Sequence, residues 1–140
     1  MSDENLAAVR ANYAAWNAHD QEAWVKTFSE DSVYESENFP TSPVRGHAGM
    51  RDLFKLFTSA FPDTHIETLQ EIASGPHVVT RVTAKGTQGG EFIGIPATHR
   101  PVAFEICFVS EIRNGLIVHS WAYWDGVTML RQPGMMPEQI

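Results

Sequence analysis

The alternation of apolar and polar residues is clearest from Val102 to Asp125, where two alternating runs flank Asn114-Gly115. Asn-Gly between such runs predicts a β-hairpin with a two-residue turn, because both residues tolerate positive φ. The turn sets the register. With Arg113 opposite Leu116, a regular ladder pairs Ile112 with Ile117, Ser110 with His119, Phe108 with Trp121, Ile106 with Tyr123 and Phe104 with Asp125. One face then collects Phe104, Ile106, Phe108, Ser110, Ile112, Ile117, His119, Trp121, Tyr123 and Asp125. The other collects Glu105, Cys107, Val109, Glu111, Val118, Ser120, Ala122 and Trp124. An aromatic face that contains an imidazole and ends in a carboxylate suits an apolar pocket with a few placed polar groups.

Upstream, the period changes. Leu6, Val9, Tyr13 and Trp16 recur at helical spacing over residues 2–19, and Asp3 and Glu4 favour the first turn of that helix. Asp20 can cap a short second helix reaching Phe28. Residues 32–36 alternate as a short strand, and 38–45, with two prolines, read as loop. Met50, Leu53, Phe54, Phe57 and Phe61 give a wide apolar stripe to a helix over 46–61, ended by Pro62. Strands follow near 65–73 and 77–87 around Ser74-Gly75-Pro76, then a glycine-rich crossing loop over 88–100. After the hairpin comes one closing helical turn (125–132) and a proline-containing tail. Helices first and four antiparallel strands later predict an α+β fold, with helices packed on one face of an antiparallel sheet. No repeat or linker divides the 140 residues, which are expected to form a single domain, 1–140.

Composition narrows the function. A formal net charge of −7 argues against nucleic acid and anionic membranes as partners. No stretch reaches the ~20 apolar residues of a membrane span, and the N-terminus lacks the pattern of a signal peptide. A cytoplasmic protein with a small neutral ligand is the expectation. The lone Cys107 agrees with a reducing compartment. The six histidines show no ligand spacing, so no metal site is expected.

By these residues the chain resembles the SnoaL-like polyketide cyclases of the nuclear transport factor 2-like superfamily. The likeness runs over nearly the whole chain. It rests most on Phe92-Ile-Gly-Ile-Pro-Ala-Thr-His-Arg100, the hairpin, Trp121-Ala-Tyr-Trp-Asp125 and Leu130-Arg-Gln-Pro-Gly134, with Tyr13-Ala-Ala-Trp-Asn-Ala-His-Asp20 and Ala60-Phe-Pro-Asp63 in support. The resemblance implies a cone, with a strongly curved antiparallel sheet and three helices from the N-terminal half enclosing an apolar cavity. It also implies a homodimer through the sheet and cofactor-free ring closure by an intramolecular aldol step. The family's acid/base aspartate matches Asp125. Departures from the family pattern are Gln88 where a histidine often follows Gly-Thr, His99 where a glycine is usual, and His119 where a glutamate often precedes the tryptophan. Tyr13 stands where an isomerase-like phenol is expected, whereas the isomerase base position is Ser36.

The candidate chemistry follows. Asp125, desolvated among Phe104, Trp121 and Tyr123, would have a raised pKa and serve as acid/base; the plainer reading is a cap on the closing helix. His119, six residues away, lies about 20 Å along an extended strand from Asp125, so the two act separately if they act at all. His47 shares the inner stripe of the third helix. Tyr13 can present a phenol to an enolate oxygen, and Tyr34 is a candidate of the same kind. Trp16, Tyr34, Phe54, Phe57, Phe104, Phe108, Trp121 and Tyr123 are the expected lining for a small apolar or polyketide-like ligand. Cys107 falls on the outer face, away from Asp125. Two further readings are a non-catalytic binder on the same scaffold and another superfamily chemistry, such as an isomerase, dehydratase or hydrolase.

Overall fold

A computed structural model describes residues 2–37 and 42–132. The expected tail beyond 132 and residues 38–41 of the expected loop lie outside the described residues. The elements in order are α1 (Ser2–Asn17), α2 (Gln21–Lys26), β1 (Phe28–Glu35), β2 (Val44–Arg45), α3 (Gly46–Ala60), β3 (His65–Ser74), β4 (His77–Thr87), β5 (Pro101–Arg113), β6 (Leu116–Trp124) and α4 (Gly126–Arg131). Six strands form one sheet in the order β2-β1-β6-β5-β4-β3. The fold is α+β, as expected. The sheet is not wholly antiparallel, because β1 runs parallel to β6. That first strand begins at Phe28, earlier than the pattern suggested. Residues 28–31 look too polar for a strand because Glu30 and Asp31 sit exposed on it.

The helices dock through apolar stripes and a few amides. Met50, Leu53 and Phe54 of α3 are buried with Val9, Trp24, Val25 and Phe28. Asp20 caps α2, accepting from Ala23 N at 3.1 Å. Asparagines fix α1 on the sheet. Asn5 donates to the Gly75 carbonyl at 3.1 Å, and Asn17 exchanges two bonds with the backbone of Ile66, at 2.8 and 2.9 Å. A buried amide that meets a backbone group settles register as well as depth.

The loop from 88 to 100 is organised by Gln88, whose side chain is fully buried. Its Nε2 donates toward the carbonyls of Ile95 and Pro96 at 3.2 and 3.1 Å, and its Oε1 accepts from Thr98 Oγ1 at 2.8 Å. Gly90 lets this loop lie against α3, since a Cβ there would stand 2.2 Å from the Ser59 carbonyl oxygen.

The hairpin holds the main departure from the sequence reading. Arg113 pairs Leu116 and Ile112 pairs Ile117, as expected, but Glu111 then pairs His119. Val118 is an extra residue, a β-bulge. Beyond it the partners become Ser110 with Ser120, Phe108 with Ala122 and Ile106 with Trp124. Because side chains alternate, one residue of slip turns the rest of β6 over. Ser120, Ala122 and Trp124 face the helices; His119, Trp121 and Tyr123 face away.

Candidate functional site

Sheet and helices enclose an apolar cavity of about 90 Å³. Tyr13 and Trp16 of α1, Trp24 of α2, Tyr34 of β1 and Leu53 and Phe57 of α3 line its helical side and edge. Phe104, Ile106, Phe108 and Ser110 of β5, Ile117, Ser120 and Trp124 of β6 and Met129 of α4 line the rest. Lys85, Gly86 and Val102 border both the cavity and an open surface groove, which marks the mouth. Phe28 and Ile117 lie at the other end.

The polar groups inside are few. The Tyr13 hydroxyl is hydrogen-bonded to Thr80 Oγ1. Tyr34 brings a second phenol into the same space. Burial raises both phenol pKa values above the ordinary range, and the nearby Tyr13 adds to the effect on Tyr34. Both therefore stay protonated at neutral pH and act as hydrogen-bond donors. Asn12 is tied to Thr27 Oγ1 at 2.8 Å, and Trp16 Nε1 donates to Thr64 Oγ1 at 3.3 Å. No carboxylate and no imidazole is among the described lining residues, and Lys85 is the cation at the mouth.

The expected site therefore divides. Tyr13, Trp16, Tyr34, Phe57, Phe104 and Phe108 come together in the cavity. Phe54 is buried behind it, with its ring 5.2 Å from Trp16 and 5.5 Å from Trp24. His47 turns to the backbone, its Nε2 2.8 Å from the Phe28 carbonyl oxygen. The bulge carries His119, Trp121, Tyr123 and Asp125 away from the inner face. His119 stacks on Trp121 at 3.9 Å and bonds to Glu35. Tyr123 is 57% exposed.

Asp125 is exposed and caps α4, accepting from Val127 N and Thr128 N at 3.0 and 3.1 Å and from Thr128 Oγ1 at 2.6 Å. The Thr128 side-chain bond, followed by its backbone bond, holds this carboxyl below its usual range. The expected raised pKa is thus reversed, because these hydrogen bonds outweigh the small desolvation of an exposed carboxyl. Ser120, Trp124 and Thr80 were not foreseen as site residues. Thr80 alternates with Val78 and Val82 on the buried side of β4, a signal the sequence did carry. Trp124 faces inward, and its Nε1 donates to Ser36 Oγ at 3.0 Å. Gln88, where the resemblance implies a histidine, braces the loop and does not line the cavity. Among the described residues no cluster of His, Cys, Asp or Glu could hold a metal ion, and no helix is long and apolar enough to cross a membrane.

The family model for SnoaL-like polyketide cyclase matches residues 6–133. The chain belongs to that family. No curated protein matches the sequence. Among solved structures, AclR from Streptomyces galilaeus, a proposed hydroxylase, is 28% identical with a TM-score of 0.85, covering 98% of this chain and 100% of its own. IdmH from Streptomyces antibioticus, a proposed polyketide cyclase, is 30% identical with a TM-score of 0.80, covering 93% and 98%. An epoxide hydrolase from M. tuberculosis shares the fold at 24% identity, with a TM-score of 0.76 and coverage of 94% and 90%. This SnoaL-like scaffold thus recurs in proteins assigned to different reactions, so chemistry must be argued from the lining.

Proposed function

We propose that the protein is a cofactor-independent enzyme of the polyketide cyclase type, closing a ring of an apolar, carbonyl-bearing substrate by an intramolecular aldol step with Tyr13 as the hydrogen-bonding group. One observation carries this reading: two neutral phenols share an apolar cavity whose described lining holds no carboxylate or imidazole. Thr80 can donate to the Tyr13 oxygen, which leaves the phenol proton for the ligand.

A β-dicarbonyl unit then enters as its enol. The enol carbon forms the new C–C bond to a ketone carbon, whose C–O π bond breaks. Tyr13 gives its proton to the new alkoxide and takes the enol O–H proton. The proton count closes within the substrate and one phenol, so a charged base is not needed. Tyr34 adds a second neutral donor elsewhere in the cavity, and apolar walls strengthen the Tyr13 bond by excluding water.

The test is single-turnover ring closure of a linear aryl β-diketone bearing a pendant ketone. Tyr13→Phe should slow closure by roughly a hundredfold, the scale of one lost oxyanion donor, while Asp125→Asn should leave it within about twofold. Full activity in folded Tyr13→Phe would overturn the reading. The missing charged acid/base favours a second one, a protein that binds the same ligand without turning it over; bound, unchanged diketone would establish it.

A further inference from the structure

The inner end of the cavity holds hydroxyls that the Tyr13–Thr80 pair does not use. Ser110 and Ser120 are direct partners across β5 and β6, and Ser120 is the partner of Tyr34 across β6 and β1. Adjacent strands lie about 4.8 Å apart, so the three hydroxyl-bearing residues form a row across the sheet. Both serines are 4% exposed, and all three residues line the cavity. None of the three hydroxyls hydrogen-bonds to a described residue. Hydroxyls withdrawn from bulk solvent normally find partners, so a row of three with none among the described residues, open to the cavity, is placed to meet a ligand.

The surroundings say what that is. Phe28, Phe108 and Ile117 stand around the row, and no charged side chain is among the described lining there. An ion in such a place would be desolvated without a counter-ion. Hydroxyls, by contrast, can donate to a carbonyl or accept from a phenol. Lys85 is far off. Ser110 lies eight residues along β5 from Val102 at the mouth, roughly 26 Å at ~3.3 Å per residue.

We propose that the row Tyr34–Ser120–Ser110 is a subsite for an uncharged oxygen substituent, a ketone, quinone or phenol oxygen, on the buried end of the ligand. This rests on the reading of the cavity as a ligand site and adds which end of the substrate enters first. Polar termini stay at the mouth, where Lys85 is paired with Glu67 at 3.3 Å and Asp63 borders the groove.

Phenol and toluene, near-isosteres that differ by hydroxyl against methyl, are the probes, followed by NMR titration. Wild type should bind both. The double variant Ser110→Ala/Ser120→Ala should lose about tenfold in phenol affinity and keep its toluene affinity within about twofold, with an unchanged or raised melting temperature because the hydroxyls removed have no partner among the described residues. A double variant that melts without cooperativity would overturn the unpartnered assignment. Single variants, each losing about threefold for phenol alone, would support the subsite in a smaller step. Equal phenol affinity in wild type and double variant overturns it, the serines then being satisfied by water only. Failure of wild type to bind either probe overturns the cavity reading itself, and the subsite with it.

Discussion

Two residues show how burial decides what a side chain can do. Tyr13 and Asp125 are both plausible proton carriers, but one is enclosed and the other exposed. Tyr13→Phe removes a bond to buried Thr80, and the cost should be about 1 kcal/mol of stability in urea titrations, since the hydroxyl left behind loses its partner. Asp125 acts through the backbone. Asparagine can also accept from the first amides of a helix and alanine cannot. Asp125→Asn should therefore keep the melting temperature near wild type while Asp125→Ala lowers it, in thermal scans at pH 7. A catalytic base would erase that ranking in activity, with Asn as damaging as Ala. Gln88 is the third case. Its amide meets three carbonyls and a hydroxyl with no exposure to water. Gln88→Ala strands those groups and should cost about 2 kcal/mol or more, measured by denaturant unfolding.

Among the elements, the helices and the position of each long strand could be read from sequence, because their periods are strong and their punctuation (Asp20, Pro62, Gly75-Pro76, Asn114-Gly115) is local. The lining taken from α1, α3 and β5 followed from that, with Phe54 sitting one layer behind the cavity. β6 did not follow. A bulge has no residue signature as firm as Asn-Gly, and Trp121 and Tyr123 alternate as convincingly as Ala122 and Trp124. The choice is made by packing. Turning His119, Trp121, Tyr123 and Asp125 inward would fill the cavity and bury a carboxylate without partners, whereas Ser120 and Ala122 leave room. Cys107 allows a direct test. It is the register partner of Tyr123, close enough across an antiparallel pair for a disulfide. Tyr123→Cys should oxidise to an intramolecular disulfide, seen as loss of both free thiols, and Ala122→Cys should not. A regular hairpin would leave Cys107 opposite Ala122.

At the scale of the whole molecule, ionisation ties the outer shell together. Glu22 is pulled down to about 2 by hydrogen bonds from Arg51, and Glu71 lies low beside Arg10, as does Asp63 under the Thr87 amide. Folded values below the unfolded ones mean stability that is complete above about pH 5 and lost as pH falls toward about 2. The buried phenols act at the other limb. With folded pKa values raised, they favour the folded state below about pH 10 and cost stability above it. Melting temperature against pH should show both limbs, the acid one shallower in Glu22→Gln and the alkaline one shallower in Tyr34→Phe. The cavity of about 90 Å³ is well below the ~300–1,000 Å³ of typical small-molecule sites, so a substrate larger than one ring must displace its walls. The extra residue in β6 bears on how such a pocket diversifies. That strand carries two complete linings, one neutral (Ser120, Ala122, Trp124), the other bearing an imidazole, a phenol and a carboxylate, and Val118 selects between them. Descendants of this scaffold can exchange the contents of the site by shifting one bulge along a strand, leaving every codon for the lining untouched.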